Sequence, residues 1–219
     1  MGTGHILRMA PDERGTRGVH EKLKIVKYPQ PVLRRKCEPV VLKDSAGNES
    51  RKALETLVRR MGELLLEHAG VGLAAPQVGV AQQLFIVNLT GEPGKEKAYV
   101  NPELVNLSEQ EEADEGCLSI PGVTVPVRRA TQVTLRATDL EGRLFEEKGE
   151  DLLARVFQHE SDHVNGRLIL DYMTPESKLV NRRAIQELQA EYDREHKARK
   201  KKATPPRKKR ASARKTSRK

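Results

Sequence analysis

Apolar residues at Leu54, Leu57, Val58, Met61, Leu64 and Leu65 recur three and four positions apart. That period predicts an amphipathic helix over residues 51–69. Ser50 stands where a capping hydroxyl is favoured, and Gly70 where a helix stops. The polar run at 43–50, with its Gly47-Asn48 pair, reads as a loop, and His68 suits the negative end of the helix dipole. Beyond residue 77 the pattern turns β-like. Short apolar runs at 84–87, 98–100, 104–107, 123–127, 133–137 and 144–146 are punctuated by Gly, Pro and Asn, which predicts antiparallel strands joined by hairpins. A helical period returns at Leu152, Leu153, Val156, Phe157 and Val164, so a helix is expected over 150–165, with Glu150 and Asp151 at its positive end and Gly166 at its stop. Strand-like stretches at 23–26 and 167–171 and a polar helix over 176–200, after Pro175, complete the reading. No internal repeat is visible.

Composition changes this picture at the ends of the chain. The 219 residues have room for one sizeable core with extensions. Hydrophobic residues make up 37%, and the deficit against an ordinary globular chain is local. Residues 197–219 carry thirteen Lys and Arg and no acidic residue, so the formal charge of +9 falls to −4 once those thirteen are set aside. Four segments are therefore expected: a flexible extension at 1–21, a main folded domain at 22–175, a helix at 176–200 and a disordered basic tail at 201–219. No apolar run reaches the length of a membrane span, and the opening residues lack the apolar core of a signal peptide. Cys37 and Cys117 form no secretory framework, and Cys37 is expected as a small buried apolar group. A reducing, cytoplasmic location is the expectation.

Candidate chemistry gathers at residues 158–163, Gln158-His159-Glu160-Ser161-Asp162-His163, which read H-E-x-x-H. On a helix His159 and His163 share a face and can grip one metal ion, with Glu160 beside them as a proton carrier. A catalytic divalent ion commonly has a third protein ligand. The longer metalloprotease pattern places a histidine six residues after His163, and there the chain has Ile169, although Gly166 fits. Glu176 lies beyond Pro175 with no motif around it. Cys117, in Glu115-Gly116-Cys117-Leu118-Ser119, is the remaining candidate. Leu152 and Val156 share the histidine face, so they line an apolar pocket beside the metal, with Val71 opposite, or serve as ordinary core. Arg155 sits where an apolar residue is expected and has no role in this reading. Asp162 is a supporting acceptor or a surface charge. The stretch 70–77, Gly-Val-Gly-Leu-Ala-Ala-Pro-Gln, is a tight turn whose glycines, Gly72 among them, also allow close approach to a substrate.

The blocks at 70–77, 115–119 and 158–163 resemble, in order and separation, the three signature motifs of the peptide deformylase family. The likeness extends over about residues 23–174 and includes Tyr28-Pro29 and Asn101-Pro102-Glu103. It implies an α+β fold in which antiparallel sheets wrap a central helix bearing H-E-x-x-H, followed by a C-terminal helix. It implies a metal held by Cys117, His159 and His163, with Fe(II) as the physiological ion and Zn(II) or Ni(II) compatible with the same donors. It further implies hydrolysis of the formyl group of N-formylmethionyl nascent polypeptides by a hydroxide generated on that ion, with formate released. Glu160 would carry the proton, while the Gln77 side chain and the Leu118 N–H would steady the oxyanion. Glu115 and Arg129 match a family ion pair that positions the cysteine loop.

Two features depart from the family pattern. Residues 122–126, Gly-Val-Thr-Val-Pro, contain no arginine where some deformylases carry one that touches the substrate. The extension and the basic tail exceed the minimal core, and the tail, together with the terminal helix, suggests attachment to ribosomal RNA. The competing functions are a general H-E-x-x-H metalloprotease and a non-catalytic RNA-binding protein.

Overall fold

The computed structural model describes residues 23–42 and 47–203, with side chains described over 23–42 and 51–197. The extension at 1–21 and most of the tail, 204–219, lie outside the described residues.

Among the described residues, seven strands and three α-helices make an α+β fold. The strands are β1 (Gly72–Ala74), β2 (Leu84–Val87), β3 (Lys97–Ser108), β4 (Glu111–Gly116), β5 (Thr124–Arg129), β6 (Gln132–Thr138) and β7 (Leu144–Glu150). The helices are α1 (Gly47–Glu67), α2 (Asp151–Val164) and α3 (Pro175–Ala203). Five strands form an antiparallel sheet in the order β1-β2-β3-β6-β7, and β4 and β5 form a separate hairpin.

Side-chain alternation along a strand sends successive residues to opposite faces of a sheet. In β2, Leu84 and Ile86 join the α1 face with Leu54, Met61 and Leu65, while Phe85 and Val87 join the α2 face with Val156, Phe157 and Val164. A helix on each face explains why all four residues of β2 are buried. The hairpin packs elsewhere: Val125 and Val127 meet Leu168, Ile169 and Leu188 in a third cluster. Cys37 is buried at 3% exposure, as a small apolar group would be, and both cysteines are free thiols.

Several expectations are corrected. α1 begins at Gly47, so Ser50 lies in its first turn and the loop reading of 47–50 fails; a polar first turn suits a helix start as well as it suits a loop. The chain reverses at Ala69 (φ 51°), with Gly70 N–H bonded to Leu65 O, so Gly70 follows the left-handed residue. The runs at 98–100 and 104–107 are one strand, β3, with irregular register and left-handed residues at Asn101 and Asn106. Residues 23–26 join no ladder. No strand forms at 167–171: Asp171 Oδ2 accepts the Leu168 N–H at 2.9 Å and closes a 3-10 turn, Ile169–Tyr172. Residues 201–203 are helical and extend α3 into the stretch expected to be disordered.

Candidate active site and metal centre

α2 presents the H-E-x-x-H residues toward the turn after β4. Phe157 and Val164 bury the helix in the sheet core, with Val156 at the edge of the histidine face, while Gln158 bonds Ala130 N and O and fixes the rotation of the helix. The ligating atoms of Cys117, His159 and His163 lie within 4.8 Å of one another, and Cys117 Sγ is 3.3 Å from His163 Nε2. Bonds of about 2.0–2.3 Å to one ion need donors somewhat closer than this upper limit, a gap that small side-chain adjustments close. His159 Nδ1 is 3.0 Å from Glu115 Oε2, which leaves Nε2 to face the cluster. A carboxylate behind a ligand imidazole is the usual means of fixing its tautomer. The donor chemistry and spacing therefore fit a divalent cation.

Gln77 is locked beside this cluster. Its Oε1 accepts the Ala74 N–H at 2.7 Å, so its amide nitrogen is turned toward Cys117 Sγ at 3.5 Å. The loops bearing Gln77 and Cys117 are braced by one segment: Val26 N–H donates to Gln77 O at 2.7 Å and Tyr28 N–H to Ser119 O at 2.8 Å. The Leu118 N–H has no hydrogen-bond acceptor among the described residues. Glu160 is buried, and its Oε2 likewise has no partner.

Behind the cluster lies a charged network. Arg129 donates Nε and Nη2 to the two oxygens of Glu115 at 3.0 Å each, and Nη1 to Asp162 at 2.6 Å. Tyr172 OH donates to Asp162 at 2.7 Å. Burial works against the Glu115 charge, but bonds from His159 and Arg129 overcome it and hold the carboxyl at about 2. Burial also opposes a charge on His159, and hydrogen bonds to Cys117 and Glu115 outweigh it, so this imidazole is basic. Burial, with repulsion from His159, lowers His163. Burial pushes the Glu160 carboxyl up to about 7.

These groups open on a cleft of about 490 Å³. Gln77, Glu115, Cys117, His159 and Glu160 line it, together with Val71, Gly72, Leu152 and Val156. Val156 is buried, whereas Leu152 is 53% exposed and Val71 38%. His163 is buried at 1% and Arg129 at 5%, and neither lines the cleft.

The family model for polypeptide deformylase matches residues 22–179. The chain belongs to the peptide deformylase family. It is 42% identical over 148 residues to the peptide deformylase of Acidobacterium capsulatum, covering 67% of this chain and 83% of that one. Identity to the Thermotoga neapolitana deformylase is 40% over 162 residues, 74% and 93% of the two chains. The crystal structure of the Legionella pneumophila deformylase superposes with a TM-score of 0.69 at 36% identity, covering 84% of this chain and all of that one. A Plasmodium falciparum deformylase gives 0.72 at 35% identity, over 79% and 99%. The chain is thus a deformylase, an enzyme that removes the N-terminal formyl group from nascent peptides by the family's metal-dependent hydrolysis.

Three deformylase residues with visible work escape sequence reasoning. Tyr172 and Gln158 act through partners that only the fold brings near. Arg155, without a role in the sequence, bonds Glu115, Val127 O and Glu111 O. Its signal was an arginine on the helix face that carries His159.

Proposed function

We propose that Cys117, His159 and His163 hold one metal ion per chain and that Glu160 is the proton carrier of deformylation. The observation that supports this most strongly is the convergence of three donors beside a buried carboxyl whose Oε2 has no partner. Thiolate and imidazole donors suit Fe(II), and Zn(II) or Ni(II) can bind the same set. When bound, such a cation supplies Lewis acidity toward the formyl carbonyl and activates water at neutral pH.

The protein's own groups do the rest. Glu160 accepts the proton of the attacking water and returns it to the leaving amine. Charge that develops on the formyl oxygen is met by the amide N–H of Gln77, held in orientation by Ala74, and by the Leu118 N–H. Glu115 holds His159 by Nδ1, and Arg129 holds Glu115. The N-formylmethionine side chain enters the cleft against the apolar lining residues Val71, Leu152 and Val156, with Gly72 beside them. Formate and a free amino terminus leave.

Residues 22–175 form the catalytic unit in this reading, and the enzyme works in the cytoplasm. Among the described residues no helix is long and apolar enough to cross a membrane. The C-terminal helix at 176–200 and the thirteen positive charges from Lys197 onward are read as an attachment to ribosomal RNA, close to where nascent chains emerge.

Formate release from a formylated peptide tests the catalytic assignment. Glu160→Ala is expected to retain its metal, measured by elemental analysis, and to lose activity; retained activity would refute the proton-carrier role. Activity on unformylated peptides at a comparable rate would favour a general metalloprotease instead.

A further inference from the structure

The three donor residues come from two parts of the fold that share no sheet. Cys117 follows β4 of the hairpin, whereas His159 and His163 ride on α2. α2 packs chiefly on the five-stranded sheet, and the apolar residues of the hairpin turn toward the 3-10 turn and α3. The joint between hairpin and helix at the cleft is therefore polar.

Two arginines reinforce that joint beside the His159–Glu115 contact. Arg129, on β5, reaches forward to Asp162 of α2. Arg155 reaches the other way, from α2 to the hairpin. Its Nη1 donates to Glu115 Oε1 and to Val127 O, each at 2.9 Å, and its Nη2 donates to Glu111 O at 3.1 Å. One guanidinium, on a side chain only 16% exposed, thus gathers acceptors from both strands.

The position and the residue type both matter. Arg155 precedes His159 by one helical turn, so the two residues share a face. Glu115 receives Arg155 on Oε1 and His159 on Oε2, while Arg129 bonds both oxygens. A planar fork with donors in fixed directions can serve three such acceptors. Lysine carries the charge without the fork, and methionine fills the space without donating.

We infer that Arg155 is a positioning residue that staples the β4–β5 hairpin to α2 and, through Glu115, sets the Cys117 sulfur against the two imidazoles. The inference rests on reading Cys117, His159 and His163 as metal ligands, and its test separates the two.

The protein is loaded with Co(II), whose thiolate-to-metal absorption reports Cys117 and whose d–d bands report ligand geometry. Wild type, Arg155→Met and Arg155→Lys are compared by these bands, by the rate of metal loss to EDTA, and by kcat and KM on a formylated peptide. Arg155→Met is expected to shift the d–d bands, to lose metal about tenfold faster or more, and to lower kcat more than it raises KM. Arg155→Lys should fall between Met and wild type. A Met variant with unchanged bands and unchanged metal loss overturns the inference even if it melts at a lower temperature. Should the Met variant fail to fold, the Lys variant decides by the same two readouts, and wild-type values for both overturn it. Absence of the thiolate band in the wild type overturns the ligand assignment itself, and the inference with it.

Discussion

Gly72 shows how little space the site leaves at the scale of single residues. A Cβ at that position would stand 2.5 Å from Glu160 Oε1 and 2.8 Å from Val156 Cγ1. Both neighbours are buried, and Glu160 is the proposed proton carrier, so neither yields without cost. Gly72→Ala is expected to lower kcat/KM by about tenfold or more, which is roughly 1.4 kcal/mol of barrier, and to lower the melting temperature as the packed neighbours are displaced. Wild-type kcat/KM in that variant would show that Glu160 can shift without consequence. Much at this scale is legible in the sequence, because H-E-x-x-H encodes its geometry in helical spacing. Cys117 is legible only with the family motifs beside it, since forty-two residues separate it from His159. Arg155 is not legible: its acceptors are two carbonyls and a carboxylate on strands whose place depends on tertiary packing.

At the scale of elements, periodicity finds what is amphipathic and misses what is not. α1, α2 and β2 bury regular apolar positions and stand out. β4, Glu-Glu-Ala-Asp-Glu-Gly, has no apolar alternation, because it pairs only with β5 and exposes most of its side chains. The 3-10 turn at Ile169–Tyr172 looks like a strand because Leu168 and Ile169 are buried, yet a side-chain bond from Asp171 decides the backbone. The end of α2 offers a sharper test. Gly166 has φ +75°, and a Cβ there would meet Arg34 O at 2.7 Å and Arg34 C at 2.9 Å, both backbone atoms that cannot rotate away. Left-handed backbone alone costs an L-residue about 1–2 kcal/mol. Gly166→Ala is therefore expected to destabilise by about 2 kcal/mol or more in urea unfolding. A loss under about 0.5 kcal/mol would mean that the segment around Arg34 shifts freely.

At the scale of the whole molecule, charge is divided rather than spread. Residues 1–196 carry −4 and residues 197–219 carry thirteen positive charges. At physiological salt, interactions between exposed charges are screened beyond about 8 Å. The cleft draws its lining from residues up to Glu160, with none contributed by α3. Removing 197–219 should then leave formate release from a short formylated peptide unchanged. Binding to ribosomes is a different matter, because a dense cationic segment gains affinity from each phosphate neutralised and loses it as salt rises. The shortened enzyme is expected to bind ribosomes about tenfold or more weakly at low salt, and its affinity should fall less steeply between two salt concentrations. Sedimentation with purified ribosomes measures both quantities. Equal affinity and equal salt dependence with and without the segment would remove the ribosomal role while leaving the chemistry of the cleft intact.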